Sequence, residues 1–298
     1  MGLGLVFLLS LSACQTFRTP DPTFDPVPLP DYRVGDKFIY DNGKSETVKA
    51  VDGAKITWRR SNGFRFVSHA SPAAPYLSWT YNKRRAALKH ISVEHDAIWP
   101  LIPGKWDRFS YSGTLFDSET GNEREFTGNW VCSVGDSMEL EMIWGPVEAI
   151  ELLCHRHSSK TGRFYGSRAW YYAPSVGHFV MKRDFHRSNK GDSTLRLLAA
   201  ERSLPRLDPM EETAMALHIG EVLENNGSEA PGRWQGLGKH ASQTVVPLRT
   251  YRTAKGFYCR KYLLRRDIDG QTAILRKTAC RLGRKDWRDV GEAVKSPK

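Results

Sequence analysis

The sequence holds none of the compact motifs that announce catalysis. No Gly-x-Ser-x-Gly elbow, no phosphate loop and no His-Glu-x-x-His pair occurs in its 298 residues, which removes the simplest hydrolase, nucleotide and zinc-protease readings. Gly236-Leu237-Gly238 is not followed by a helix-opening glycine. No Cys-x-x-Cys spacing is present, so zinc ribbons and dithiol redox motifs are not indicated. No apolar run approaches the ~20 residues that a membrane-crossing helix needs. Carboxylates are also scarce at one end: Gly232–Lys298 has 5 Asp+Glu against 17 Lys+Arg. Nine histidines are scattered. His90, His95 and Asp96 are the nearest approach to an acid–base group, and His155 and His157 would share one face of a strand, but neither set has a diagnostic spacing. The expectation is a protein without enzymatic activity, cofactor or metal.

What is present begins at the N-terminus. Leu3 to Leu9 is apolar, and Leu11-Ser12-Ala13-Cys14 follows it. The run has signal-peptide length. The arrangement looks like a bacterial lipobox, although no Lys or Arg precedes the apolar run. The resemblance implies a signal peptide over 1–14 ending at a lipidated cysteine, Cys14. Two or more acyl chains would hold the protein on a membrane, since a single chain binds only marginally. Gln15 stands where Asp would favour inner-membrane retention in the lipoproteins this resembles, so the expected location is the cell outer membrane. Residues 15–30 carry Pro20, Pro22, Pro26, Pro28 and Pro30, a composition that is extended and semi-rigid; they read as a tether.

There are five cysteines. With Cys14 lipidated, Cys132, Cys154, Cys259 and Cys280 remain, in an oxidising compartment where an even count implies disulfides. Four cysteines allow three connectivities. Pairing within each predicted domain, Cys132 with Cys154 and Cys259 with Cys280, is the expected one.

Residues 31–205 read as one β domain. Lys37–Tyr40, Lys55–Trp58, Gly63–Val67, Trp130–Val134 and Ala149–Cys154 are short, β-branched and aromatic, and turn signals such as Asp52-Gly53 and Asn62-Gly63 separate them. That spacing predicts an antiparallel β-sandwich or half-barrel. Trp144-Gly145-Pro146 marks a hairpin between the two cysteine-bearing strands. Trp79 and Tyr81 share a strand face. Trp99-Pro100-Leu101 through Gly104-Lys105, followed by Trp170-Tyr171-Tyr172-Ala173-Pro174 and Val176-Gly177-His178, resembles envelope lipoprotein domains of proteobacteria, which implies a β fold rather than an activity.

Asp208-Pro209 predicts a helix start: an N-capping carboxylate, proline in the first turn, then Glu211 and Glu212 at the positive end. Met215, Ile219, Val222 and Leu223 form its apolar stripe, and Asn225-Asn226-Gly227 ends it. A small β-sheet follows, turning at Asp269-Gly270. The Cys259-Arg260-Lys261-Tyr262 and Ala279-Cys280-Arg281 segments that flank this turn resemble the C-terminal domain of the rickettsial 17-kDa surface-antigen family. The likeness covers about residues 208–290, a helix-and-β-sheet module, with 291–298 as a tail. It implies an outer-membrane lipoprotein with no established enzymatic activity. The family's glycine-zipper segment is absent, and the β domain stands in its place.

Net charge is +11, but Gly232–Lys298 carries +12 and the rest −1. Such asymmetry points to an anionic partner. Arg260, Arg265, Arg266 and Arg281 are the predicted contacts. A basic surface beside Tyr and Trp also suits nucleic acid, but the expected compartment argues against it and leaves lipopolysaccharide, peptidoglycan or an envelope protein. The expected function is therefore structural or docking. The competing expectation is a periplasmic carrier that holds a lipid or apolar ligand in the β domain.

Overall fold

The computed structural model describes residues 25–92, 97–186, 191–238, 240–283 and 285–290. The leader, Cys14, the first part of the tether, His95, Asp96 and the tail lie outside the described residues.

Twelve strands follow one another along the chain: β1 (Lys37–Tyr40), β2 (Ser45–Asp52), β3 (Lys55–Arg60), β4 (Arg65–Ser68), β5 (Ser78–Tyr81), β6 (Arg84–Ile91), β7 (Trp106–Asp117), β8 (Glu123–Met142), β9 (Gly145–His157), β10 (Phe164–Ala173), β11 (His178–His186) and β12 (Ser193–Glu201). Each pairs antiparallel with the next. β1 also pairs with β12, Phe38 opposite Ala200 and Ile39 opposite Ala199, and this closes the sheet. The mainly β fold expected from the sequence thus takes the form of a closed up-and-down barrel. Closure removes the free edges that an open meander would expose.

Alternation sends one face of each strand inward. Phe38, Tyr40, Val48, Leu152 and Leu197 are fully buried or nearly so. Trp99 and Leu101 join the same core from the β6–β7 connection, where the Trp99–Pro100 peptide is cis. Tyr111 faces Gly128 across β7 and β8. A Cβ at Gly128 would lie 2.5 Å from the Tyr111 ring, so the small residue is what lets that ring lie flat over the neighbouring strand. The end of the proline-rich stretch is held at the barrel: Val27 exchanges backbone hydrogen bonds of 3.1 and 2.8 Å with Leu101 and is buried.

The other elements among the described residues are one helix, α1 (Pro209–Asn225), and five strands: β13 (Gly232–Gln235), β14 (Ala241–Arg252), β15 (Tyr258–Ile268), β16 (Gln271–Gly283) and β17 (Asp286–Asp289). Asp208 caps α1, accepting from Met210 N and Glu211 N at 2.8 and 3.0 Å. Asp269 and Gly270 both have positive φ, 49° and 74°, as a two-residue hairpin with the right twist requires. Val222 and Leu223 of α1 pack on one face of this sheet against Val245, Tyr262, Leu264 and Ala279. The opposite face meets the barrel. Val246, Leu263 and Ile274 belong to the barrel's own core, Ala200 bridges Ile274, and Thr272 N donates to Ser175 O at 2.8 Å. No helix among the described residues is long and apolar enough to cross a membrane.

Candidate functional site

The four arginines predicted to meet an anionic partner are all engaged within the molecule. Arg260 is buried, and its Nη1 donates to Leu223 O and Asn226 O at 2.5 and 2.8 Å, where α1 leaves its last carbonyls open. Arg265 pairs with Asp267 at 2.9 Å, donates to Pro146 O at 2.7 Å, and lies over the Trp144 ring at 5.3 Å. It joins the sheet to the barrel. Arg266 pairs with Glu212 at 2.9 Å, and Arg281 with Glu224 at 2.8 Å; both tie the sheet to α1. Sequence reasoning counted these charges without seeing the carboxylates and carbonyls that the fold brings to them.

Other cations of the same sheet stay free. Arg249 and Lys261 face each other directly across β14 and β15, and both are exposed. Arg276, opposite Leu263, is exposed one row further along the same face. No carboxylate pairs with any of the three among the described residues. Like charges directly opposite in a ladder destabilise it, so this face is a local cost that only an anionic partner or solvent offsets.

The second candidate lies inside the barrel. A cavity of about 430 Å³ opens between the β1–β2 turn, the β4–β5 connection and the walls formed by β8 to β11. Trp58, Trp79, Trp130, Trp170, Tyr76 and Phe126 supply much of its lining. Five cations line it: Lys44, Arg60, Arg156, Arg168 and Lys182. The carboxylates close to them are Glu46, 2.7 Å from Arg60, and Asp184, which pairs with Arg168 and lies 3.9 Å from Lys182. Burial, and then the neighbouring Arg168, hold the Lys182 ammonium below its ordinary pKa. Lys44 and Arg156 are exposed and mark the mouth. Cys132–Cys154 closes one row of the same wall.

A chain of buried polar groups runs beneath this cavity. His178 stacks on Phe38 with ring centroids 3.7 Å apart. Its Nδ1 and Nε2 lie 2.8 Å from the hydroxyls of Tyr32 and Tyr40. Burial first, and Arg202 second, push its pKa well below the ordinary value, so the ring is neutral. Tyr40 also donates to Glu46 at 3.3 Å. The consistent assignment has Tyr32 donating to Nδ1 and Nε2–H donating to Tyr40. Burial raises both tyrosine pKa values well above ordinary. The chain continues from Glu46 through Arg60 to the Tyr76 hydroxyl, 2.9 Å from Arg60. These groups satisfy one another, which suits a rigid wall rather than proton transfer.

The cysteines pair as Cys132–Cys154 and Cys259–Cys280. His155 and His157 share a face, but His155 bonds Ser167 at 2.7 Å and His157 sits 3.2 Å from Gly162 O; no group of potential metal ligands assembles among the described residues. The sequence raised a ligand-holding β domain as the competing expectation but could not place the cavity or its cations, because the lining comes from eleven separate strands and the segments between them. The strand aromatics, Trp79 and Trp170 among them, were its local signal, with Arg60, Arg156 and Arg168 placed between them.

Residues 221–288 match the family model described as 17 kDa outer membrane surface antigen. The match starts inside α1 and ends in β17, so it concerns the C-terminal sheet and not the barrel. No curated protein matches the sequence. Among solved structures, the hypothetical lipoprotein YmcC of Escherichia coli (K12) is 10% identical over 57% of this chain and 85% of its own, with a TM-score of 0.39. An exported protein with a YmcC-like fold from Bacteroides fragilis is 9% identical over 59% of this chain and 100% of its own, with a TM-score of 0.34. Such scores carry no conclusion about role.

Proposed function

We propose that this chain is a non-enzymatic outer-membrane lipoprotein, anchored through Cys14, whose C-terminal sheet docks on an anionic envelope polymer. The lipobox-like leader and the surface-antigen match of residues 221–288 support the compartment. The observation that carries the docking role is the group of Arg249, Lys261 and Arg276 on two successive rows of the sheet, unpaired among the described residues. Guanidinium groups suit phosphate and carboxylate forks, which lipopolysaccharide and peptidoglycan provide. The barrel then serves as the scaffold from which the sheet is presented.

The test is binding of the mature, full-length protein to lipopolysaccharide micelles and to purified peptidoglycan at rising salt. Affinity is expected to fall as salt screens the contacts. Arg249→Gln, Lys261→Gln and Arg276→Gln together should weaken binding by about tenfold or more without lowering Tm, because none of the three has a carboxylate partner among the described residues. Arg260→Gln should lower Tm instead, by uncapping α1. Binding that survives the triple substitution overturns the proposal.

A further inference from the structure

We propose that the barrel cavity is a binding site for an acidic saccharide of one or two rings, its acid group a carboxylate or a phosphate. The site is separate from the cationic sheet face and does not depend on docking there.

Size comes first. A cavity of about 430 Å³ falls within the ordinary range of small-molecule sites, roughly 300–1,000 Å³. The character of the lining then selects the ligand. An acyl chain needs continuous aliphatic walls, yet the aliphatic part here is mainly Ala70, Ala73, Ala74 and Leu195, with two prolines. Aromatic faces dominate instead. Flat rings with exposed π-faces suit the C–H faces of another ring better than a flexible chain. The polar part is equally selective. Among the described residues five cations surround the space, while Glu46 is the one carboxylate that lines it, and Asp184 lies behind Arg168 and Lys182. A cavity with that excess and low-dielectric walls concentrates anions. Lys44 and Arg156 at the mouth have no carboxylate partner among the described residues.

An independent feature also points to an occupant. Ser71, in the connection between β4 and β5, is 1% exposed and lines the cavity. Its Oγ has no hydrogen-bond partner among the described residues. A buried hydroxyl left unpaired costs about 1–3 kcal/mol, and a small shift of this connection that turned the Oγ to the cavity would let a ligand hydroxyl satisfy it. Ring hydroxyls, an acid group and apolar ring faces occur together in acidic sugars, and this lining asks for all three.

The mature, full-length protein is titrated with digalacturonate, glucose 1-phosphate, glucose and palmitate, followed by calorimetry and by tryptophan fluorescence, since four tryptophans line the site. At least one acidic sugar is expected to bind and to change the fluorescence, with glucose weaker by about tenfold or more. Which acidic sugar binds distinguishes carboxylate from phosphate. Lys44→Gln with Arg156→Gln, both exposed positions, should weaken that binding by about tenfold with Tm unchanged, and Ser71→Ala should weaken it at equal or higher Tm. Palmitate binding with both acidic sugars silent overturns the proposal in favour of an apolar carrier. Equal affinity for glucose and the acidic sugars overturns the role of the cations. Silence towards all four ligands overturns the site.

Discussion

At the scale of single residues, His178 carries the clearest consequence. It is fully enclosed between Tyr32, Tyr40 and Phe38, and burial keeps it neutral. In the unfolded chain a histidine titrates near about 6.5. Below that pH the unfolded chain takes up a proton that the folded chain refuses. The stability due to this group is therefore complete above about pH 6.5 and declines as pH falls, by at most ~1.4 kcal/mol per unit, until the depressed folded pKa is reached. Carboxylates add their own acid dependence, so the wild type must be compared with His178→Gln, which removes this titration alone. The stability advantage of wild type over the variant should shrink by roughly 1–2 kcal/mol between pH 6.5 and 5, as measured by urea unfolding. A constant difference would mean that His178 takes up its proton as readily in the folded chain as in the unfolded one. The sequence displayed this histidine after Val176-Gly177, but nothing local told that two tyrosines, 138 and 146 residues away, would enclose it.

At the scale of elements, the two disulfides sit in directly opposed ladder positions, Cys132 against Cys154 and Cys259 against Cys280. Both hairpins were readable. Trp144-Gly145-Pro146 and Asp269-Gly270 mark their turns, and the cysteine separations of 22 and 21 suit strands that return on themselves. Closing a loop of that length in the unfolded chain is worth about 3 kcal/mol. Cys259→Ser with Cys280→Ser should lower the unfolding free energy by about that amount, read from the urea midpoint at unchanged m-value. A shift below about 0.5 kcal/mol would show that the hairpin persists in the unfolded chain without its crosslink. Other strands resisted reading for a physical reason. Ala169–Ala173 of β10 is buried at every position, so it shows a continuous apolar run without the alternation that identifies a half-exposed strand. β8 runs for 20 residues, but its register shifts between Val134 and Ser137, and that break in the pattern hides its length.

At the scale of the whole molecule, the barrel and the C-terminal sheet share a core. Val246, Leu263 and Ile274 pack with barrel residues, and Arg265 donates to Pro146 O across the junction. The sequence, with its change of charge near Gly232, suggests two units. The shared core predicts one cooperative thermal transition for the mature protein, with calorimetric and van't Hoff enthalpies equal. Two resolved transitions would show that the junction contributes little to either part.

The sequence by itself determined what depends on neighbours along the chain. The helix cap at Asp208, the hairpin turns, the local cysteine pairs, the strand alternation and the basic C-terminal quarter follow from residues a few positions apart. The tertiary structure alone decided what depends on distance in space. It closed β1 against β12, tied four of the arginines to carboxylates and carbonyls of the molecule, left Arg249, Lys261 and Arg276 without carboxylate partners among the described residues, and gathered aromatic rings and cations from across the barrel around one cavity. Pairings between strands more than a hundred residues apart leave no periodic trace in a single sequence. Which cation is free and which is spent depends on carboxylates and carbonyls that only folding brings within reach.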